Sequence, residues 1–95
     1  MPSSYEQYMN QYSSLSIFIG EYLKQQRHNN ELSGKELAKL MNLSQQQISR
    51  YERGVTQVNL ETLFRFFYVL NVPIHDVLFF FELITAWHKD KNLHF

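Results

Sequence analysis

Apolar residues recur at helical spacing along most of the chain, and no stretch alternates between apolar and polar residues for long enough to suggest a sheet. The first apolar face predicts a helix from Leu15 to about His28, which Asn29-Asn30 ends. Residues 1–14 are polar and tyrosine-rich, and they either fray or extend this helix. The face comprises Leu15, Ile19, Leu23 and Gln26, with Phe18 and Tyr22 beside it.

Two serines predict the starts of two short helices. The Ser33 hydroxyl can accept from the Glu36 amide while the Glu36 carboxylate accepts from the Ser33 amide, and Ser44 and Gln47 repeat this capping box further along the chain. Two short helices joined by a tight turn form a helix-turn-helix by local chemistry. The predicted helices are Gly34–Met41, with Leu37, Leu40 and Met41 facing inward, and Gln45–Arg53, with Ile48 and Tyr51 facing inward.

The second half of the chain predicts two more helices. Gly54 ends the preceding helix because glycine readily adopts positive φ, and Asn59 caps a helix from Leu60 to about Leu70. Pro73 lies where the first turn of a helix tolerates proline, and the last helix runs from about Ile74 to His88. The fold is therefore predicted to be all-α, with five helices and a helix-turn-helix formed by helices 2 and 3. The apolar face of the fourth helix is Leu63, Phe66, Phe67 and Leu70.

Composition limits the class of protein. The 95 residues correspond to one small domain, and 44% apolar residues are too many for a disordered chain. No cysteine is present, which excludes disulfides and fits the reducing cytoplasm. No apolar run approaches the roughly 20 residues that a membrane helix needs. We expect an N-terminal extension at 1–14, a helix-turn-helix domain at 15–88 and a tail at 89–95.

Catalytic and metal-binding patterns are not evident. The four histidines lack the spacing of zinc ligands, and there is no glycine-rich phosphate loop or nucleophile elbow. We therefore expect no enzyme activity, no cofactor, no metal and no small-molecule ligand.

The formal net charge is zero, which is unusual for a DNA-binding protein because phosphate neutralisation supplies much of the affinity. The segment from Lys35 to Arg53 is more basic, with four basic and two acidic residues. One face of the molecule is thus expected to be weakly positive. A protein-interaction module that has lost DNA binding remains an alternative.

The segment Glu31–Gly54 reads ELSGKELAKLMNLSQQQISRYERG. It resembles the lambda-repressor/Cro-like (Xre) helix-turn-helix family, whose pattern runs L-S-x-x-E-L-A, a short turn, S-x-x-x-I-S and an E-x-G ending. The similarity extends, less specifically, from Ile19-Gly20-Glu21 to Val77-Leu78. Within that family, Ser44–Gly54 resembles the recognition helix of MrpJ-type regulators of enterobacterial fimbrial operons, which repress flagellar motility genes.

The resemblance implies a sequence-specific, DNA-binding transcription regulator, cytoplasmic and associated with the bacterial nucleoid. A phage-type repressor or an antitoxin-like autorepressor on the same scaffold is the alternative. Glutamine can pair with adenine and arginine with guanine in the major groove. The expected base-reading residues are Gln45, Gln46, Ser49 and Arg50, and the expected phosphate contacts are Lys35, Ser44, Arg53, Thr56, Gln57 and Asn59.

Two further side chains have open roles in the sequence. Glu52 is expected to be structural, pairing with an arginine across the turn, whereas Arg65 is expected either to reach a phosphate or to lie in water. The family often has glutamine at the start of the second helix, where this chain has Gly34, and the loop 55–58 lacks lysine and arginine. Both departures predict a weak hold on phosphates by one subunit, and hence reliance on a dimer.

The last helix is apolar on nearly all sides, and a helix of this kind is normally covered on all sides. We therefore expect a homodimer that places two recognition helices about 34 Å apart. The alternative is that residues 1–12 fold back over the helix. The expected interface residues are Phe79, Phe80, Leu83, Ile84 and Trp87.

Overall fold

Five helices make up the computed structural model, which describes residues 4–90, with side chains for 15–86 and for Lys89. Within that part of the chain there is no strand, so the all-α prediction is confirmed. The first helix begins before Leu15, and the last ends two residues beyond His88. The helices are α1 (Ser4–Asn29), α2 (Gly34–Met41), α3 (Gln45–Glu52), α4 (Leu60–Val69) and α5 (Ile74–Asp90).

Both predicted capping boxes are present. The Ser33 hydroxyl accepts from the Glu36 amide at 3.0 Å, and the Glu36 carboxylate accepts from the Ser33 amide at 2.9 Å. Ser44 and Gln47 make the same two hydrogen bonds at 3.1 and 2.9 Å. The side-chain oxygen of Asn59 similarly accepts from an amide in the first turn of α4. Local hydrogen bonding therefore sets the starts of α2, α3 and α4.

The first four helices end in the same way, with one residue at positive φ and a backbone hydrogen bond that spans five residues. After α2, Asn42 has a φ of 56° and the Leu43 amide donates to the Ala38 carbonyl at 2.9 Å. After α3, Gly54 has a φ of 73°, as its sequence position predicts. The other two positive-φ residues are Glu31 after α1 and Asn71 after α4.

The core joins all four of the helices that follow one another from α1 to α4 and closes against α5. Phe66 of α4 and Phe80 of α5 are fully buried, together with Leu23 of α1. An aromatic cluster of Tyr22, Phe67 and Phe80 links α1, α4 and α5, with ring centroids 4.4 to 6.4 Å apart. Burial, and secondarily the charge of Asp76, raises the pKa of the Tyr22 phenol. The predicted apolar face of α4 is buried as a whole: Leu63, Phe66, Phe67 and Leu70.

Two expectations about inward and outward side chains are wrong. Leu40 was expected to face inward, but it is 57% exposed, because Leu37 and Met41 of α2 already fill the contact with the core. Phe80 was expected in an interface between subunits, but its side chain is fully buried against Tyr22 and Phe67. A side chain with no accessible surface has nothing left to bury against a second copy.

Candidate nucleic-acid interface

The position of α3 is set by a line of residues on α1 that we call the α1 stripe: Ser16, Gly20, Leu23 and Arg27. The spacings of four, three and four residues place them on one face of the helix. Only Leu23 of this set is apolar, and it is fully buried. The Ser16 hydroxyl donates to the Gly54 carbonyl at 3.0 Å, which ties α1 to the end of α3.

Gly20 allows α1 and α3 to approach closely. A Cβ at this position would collide with the carbonyl oxygens of Tyr51 and Glu52, at 2.6 Å from the latter. No side chain fits in that space without moving the backbone. Gly20 therefore sets the distance between α1 and α3.

A buried ion pair completes the contact between these helices. The Arg27 guanidinium donates to both carboxylate oxygens of Glu52, at 2.6 and 3.0 Å, and to the Leu32 carbonyl at 2.9 Å. The two charged side chains are only 12% and 7% exposed. The hydrogen bond to Glu52 raises the pKa of Arg27, which burial alone would lower. Glu52 is thus structural, as expected, but its arginine comes from α1.

The opposite side of α3 faces solvent. Ile48 and Glu52 are buried and Tyr51 packs against the core, its ring 5.7 Å from that of Phe66. Anchoring through these residues turns the other side of the helix outward. All four expected base-reading residues are exposed there: Gln45, Gln46, Ser49 and Arg50.

Comparison with known proteins agrees with this arrangement. A sequence profile of the helix-turn-helix family, of the lambda-repressor-like type, matches residues 23–77, which span α2, α3 and α4. The chain belongs to this helix-turn-helix family. The family is one of DNA-binding transcription regulators and not of enzymes. No curated protein and no solved structure matches the chain significantly.

In this helix-turn-helix domain, two expected base-reading residues are hydrogen-bonded to two expected phosphate contacts. The Arg50 Nε donates to the Thr56 hydroxyl at 3.2 Å, and the Arg53 Nε donates to the Ser49 hydroxyl at 3.2 Å. Within the described part of the chain, the side chains of Gln45 and Gln46 make no hydrogen bond. The outward face of α3 therefore has a free first turn and a braced second turn.

The expected phosphate contacts surround this face. Lys35, Arg53 and Gln57 are exposed, and Thr56 is half-buried. The hydroxyl oxygen of Ser44 and the side-chain oxygen of Asn59 accept from their own helices, which leaves a donor on each side chain. A polar groove runs between α1, the start of α2 and α3. Its lining includes Lys24, Gly34, Gln45, Ser49 and Arg53.

The surface of α2 and α3 is more basic than the count of charges along the chain indicates. Glu52 is one of two acidic residues between Lys35 and Arg53, and it is buried against Arg27. The four basic residues of that segment are all exposed, against Glu36 alone, which leaves three net positive charges. This distribution favours contact with phosphates. The four basic residues are Lys35, Lys39, Arg50 and Arg53.

Arg65 does neither of the two things expected of it. Its guanidinium donates to the Met41 carbonyl at 2.5 Å, so it caps the C-terminus of α2 from α4. Such a bond satisfies a carbonyl that the helix itself leaves open. Arg65 therefore helps to hold the turn between the two helices of the helix-turn-helix.

Sequence reasoning missed most of the α1 stripe, because only one of its members is apolar. The signal is visible afterwards as small and polar residues at helical spacing, one position away from the predicted apolar face. Among residues 15–86, no three metal-binding side chains lie close together. None of the described helices is long and apolar enough to cross a membrane.

Proposed function

We propose that this transcription regulator reads a specific DNA site with the outward face of α3. One observation carries the proposal: Gln45, Gln46, Ser49 and Arg50 share one exposed side of α3, while Ile48 and Glu52 hold the opposite side in the protein. A helix in the major groove contacts base edges with such a side. Glutamine and arginine there favour a site containing adenine and guanine.

The phosphate contacts fix the register of the domain on the duplex. Lys35, Arg53 and Gln57 offer exposed donors, and the capped starts of α3 and α4 at Ser44 and Asn59 are suited to anions. Thr56 completes this set. These contacts carry no sequence information of their own.

The test of base reading separates these two kinds of contact. Genome-wide footprinting of the tagged protein identifies bound sites, and purified variants are then titrated on one site and on unrelated DNA. Arg50→Ala and Gln45→Ala are each expected to cost about 1–3 kcal/mol on the specific site only. Lys35→Ala is expected to weaken all sequences alike and to lower the salt slope by about one unit. Unchanged specific affinity in both Arg50→Ala and Gln45→Ala rejects the assignment.

We further propose that the protein binds as a homodimer through α5. Phe79 is 56% exposed, whereas Leu83 and Ile84 are half-buried and border it. Exposed apolar surface of this kind is typical of protein interfaces. The side chain of Trp87, and residues 1–12 as an alternative cover, lie outside the described side chains. A dimer suits a palindromic site with half-sites about 34 Å apart.

Sedimentation equilibrium at micromolar concentration tests the dimer. Phe79→Asp is expected to shift the protein to monomer, whereas Tyr68→Asp, at an 85% exposed position on α4, is the matched control and is expected to leave the dimer intact. A wild-type monomer rejects the proposal. So does a control that dissociates as readily as Phe79→Asp.

The biological target we propose is the motility regulon, with the protein acting as a cytoplasmic, nucleoid-associated repressor of the fimbrial-operon type. The support is the resemblance of Ser44–Gly54 to the recognition helix of MrpJ-type regulators. Footprints upstream of flagellar genes, with increased swimming after deletion of the gene, are the expected results. Footprints confined to its own promoter would instead indicate an autorepressor.

A further inference from the structure

The turn after α3 folds back over the last turn of the recognition helix. Gly54 adopts a φ of 73°, and the amides of Val55 and Thr56 then both point at the Arg50 carbonyl, at 3.0 and 3.4 Å. A Cβ at Gly54 would also collide with the backbone of Ile17 on α1. The backbone on both sides therefore holds Thr56 next to Arg50.

The side chains of Thr56 and Arg50 meet on the exposed surface. The Thr56 hydroxyl oxygen accepts from the Nε of Arg50 at 3.2 Å. This bond uses one of the five guanidinium donors and leaves the two terminal nitrogens available, and two parallel donors are what the O6 and N7 atoms of guanine require. The hydroxyl hydrogen of Thr56 also remains available as a donor.

We propose that Thr56 is a positioning residue that orients Arg50 for a guanine and, with the same hydroxyl, donates to a DNA phosphate. The proposal rests on the assignment of Arg50 as a base-reading residue. One hydroxyl then couples the register on the phosphate backbone to the direction of the base-reading fork. A long, flexible arginine gains affinity from being held before binding, because less side-chain freedom is lost in the complex.

The Ser49–Arg53 bond provides an internal contrast. It joins residues four positions apart on α3, and its acceptor is the expected base reader rather than the expected phosphate contact. Thr56, in contrast, lies off the helix, so its position depends on the turn. Only the Thr56–Arg50 bond therefore connects the recognition helix to the loop that faces the phosphates.

The test compares Thr56→Val, which keeps the shape and removes the hydroxyl, with Thr56→Ser, which keeps the hydroxyl. Thr56→Val is expected to weaken binding to the footprinted site about fivefold more than binding to unrelated DNA, the size of one net hydrogen bond. Thr56→Ser is expected to stay near wild type. Equal loss on all DNA would make Thr56 a phosphate contact only and overturn the positioning role, as would no loss.

A double-mutant cycle separates this proposal from the one on which it rests. In an Arg50→Ala background, Thr56→Val is expected to cost no further specificity. If Arg50→Ala itself leaves specific affinity unchanged, base reading by Arg50 fails and positioning fails with it. If Arg50→Ala is costly but Thr56→Val adds its full effect on top, only the positioning role fails.

The free protein supplies a readout that does not depend on DNA. The Arg50 Nε proton is expected to give a distinct, slowly exchanging NMR signal in wild type and Thr56→Ser, and to exchange faster in Thr56→Val. Thr56→Ala serves in the same way if the valine variant does not fold. Identical exchange in wild type and in the folded variant that lacks the hydroxyl overturns the proposal.

Discussion

The two ends of this domain are held together by different interactions. Between α1 and α3, the contacts are a glycine, a serine hydroxyl and the Arg27–Glu52 ion pair. Between α4 and α5, they are aromatic rings, with Phe67 and Phe80 at a centroid distance of 5.4 Å. Directional polar bonds allow one arrangement, whereas apolar packing tolerates small shifts of shape.

This difference agrees with what each end must do. A recognition helix displaced by about 1 Å loses the geometry of its base contacts, since hydrogen bonds weaken steeply outside their normal range. The α1–α3 contact therefore needs interactions that specify a position. The aromatic end supplies burial, which stabilises the fold without fixing α3 to the same degree. The experiments below test this contrast, beginning with the largest expected effect.

Arg27→Ala is expected to have the largest effect, a loss of about 3–5 kcal/mol in the free energy of unfolding, because it leaves Glu52 buried without its partner. Urea denaturation measures it. Lys24→Ala, at an exposed position on the same helix, is the control and should change stability by less than about 0.5 kcal/mol. Equal losses in the two variants would show that the ion pair does not anchor α3.

Gly20→Ala is expected to destabilise the fold by about 3 kcal/mol, because the new Cβ collides with backbone carbonyls of α3. The molecules that still fold should bind DNA more weakly, since α1 and α3 must separate. The matched control is Gly34→Ala, whose Cβ would meet only the Gln45 side chain, at an ordinary 3.8 Å. Thermal unfolding of both variants decides, and a control as unstable as Gly20→Ala would contradict the close approach as the cause.

Phe67→Leu tests the aromatic end, where we expect tolerance. The side chain is 3% exposed and contacts the rings of Phe64 and Phe80. Loss of part of that ring volume should cost about 1–2 kcal/mol. The DNA affinity of the folded protein should nevertheless equal that of wild type, as measured by fluorescence anisotropy. A large loss of affinity would show that the aromatic end also positions α3.

The smallest effect is expected from acid, at one of the two capping boxes. The hydrogen bonds from the Ser33 amide and hydroxyl hold the pKa of Glu36 below its ordinary value of about 4.3. A lowered folded-state pKa means that the stabilisation is present above that ordinary value and is lost as pH falls through the lowered one. Gln47, in the equivalent position of the second box, does not titrate.

NMR detects this difference. As the pH falls below about 4, the Ser33 amide signal should shift while the Ser44 amide signal stays in place. Glu36→Gln should abolish the shift at Ser33, since both boxes then carry glutamine. Titration of the Ser44 amide in parallel with Ser33 would mean that a global change, rather than the carboxyl of Glu36, is responsible.

The parts of the fold that follow from near neighbours in the chain were predictable. The starts of α2, α3 and α4 depend on a side chain and an amide three residues apart, so Ser33, Ser44 and Asn59 identify them. The end of α3 at Gly54 is equally local. The outward direction of Arg50 also follows once Ile48 is known to face the core.

The parts that depend on which surfaces meet were not predictable in the same way. Phe79 and Phe80 are neighbours with the same chemistry, yet one is 56% exposed and the other fully buried. Leu40 is apolar at an apparently inward spacing and still faces solvent. Periodicity identifies an apolar stripe, but it does not give its width or state which neighbour covers it.

By itself, the sequence determined that this protein is a helix-turn-helix protein with an exposed glutamine–arginine face, because capping and helical periodicity act over a few residues. Only the tertiary structure decided how that face is held. Arg27 and Glu52 are 25 residues apart, as are Met41 and Arg65 at nearly the same separation of 24, and their bonds form only when distant segments meet. Long-range pairs of polar side chains carry no local signal, so folding alone shows that they anchor the recognition helix.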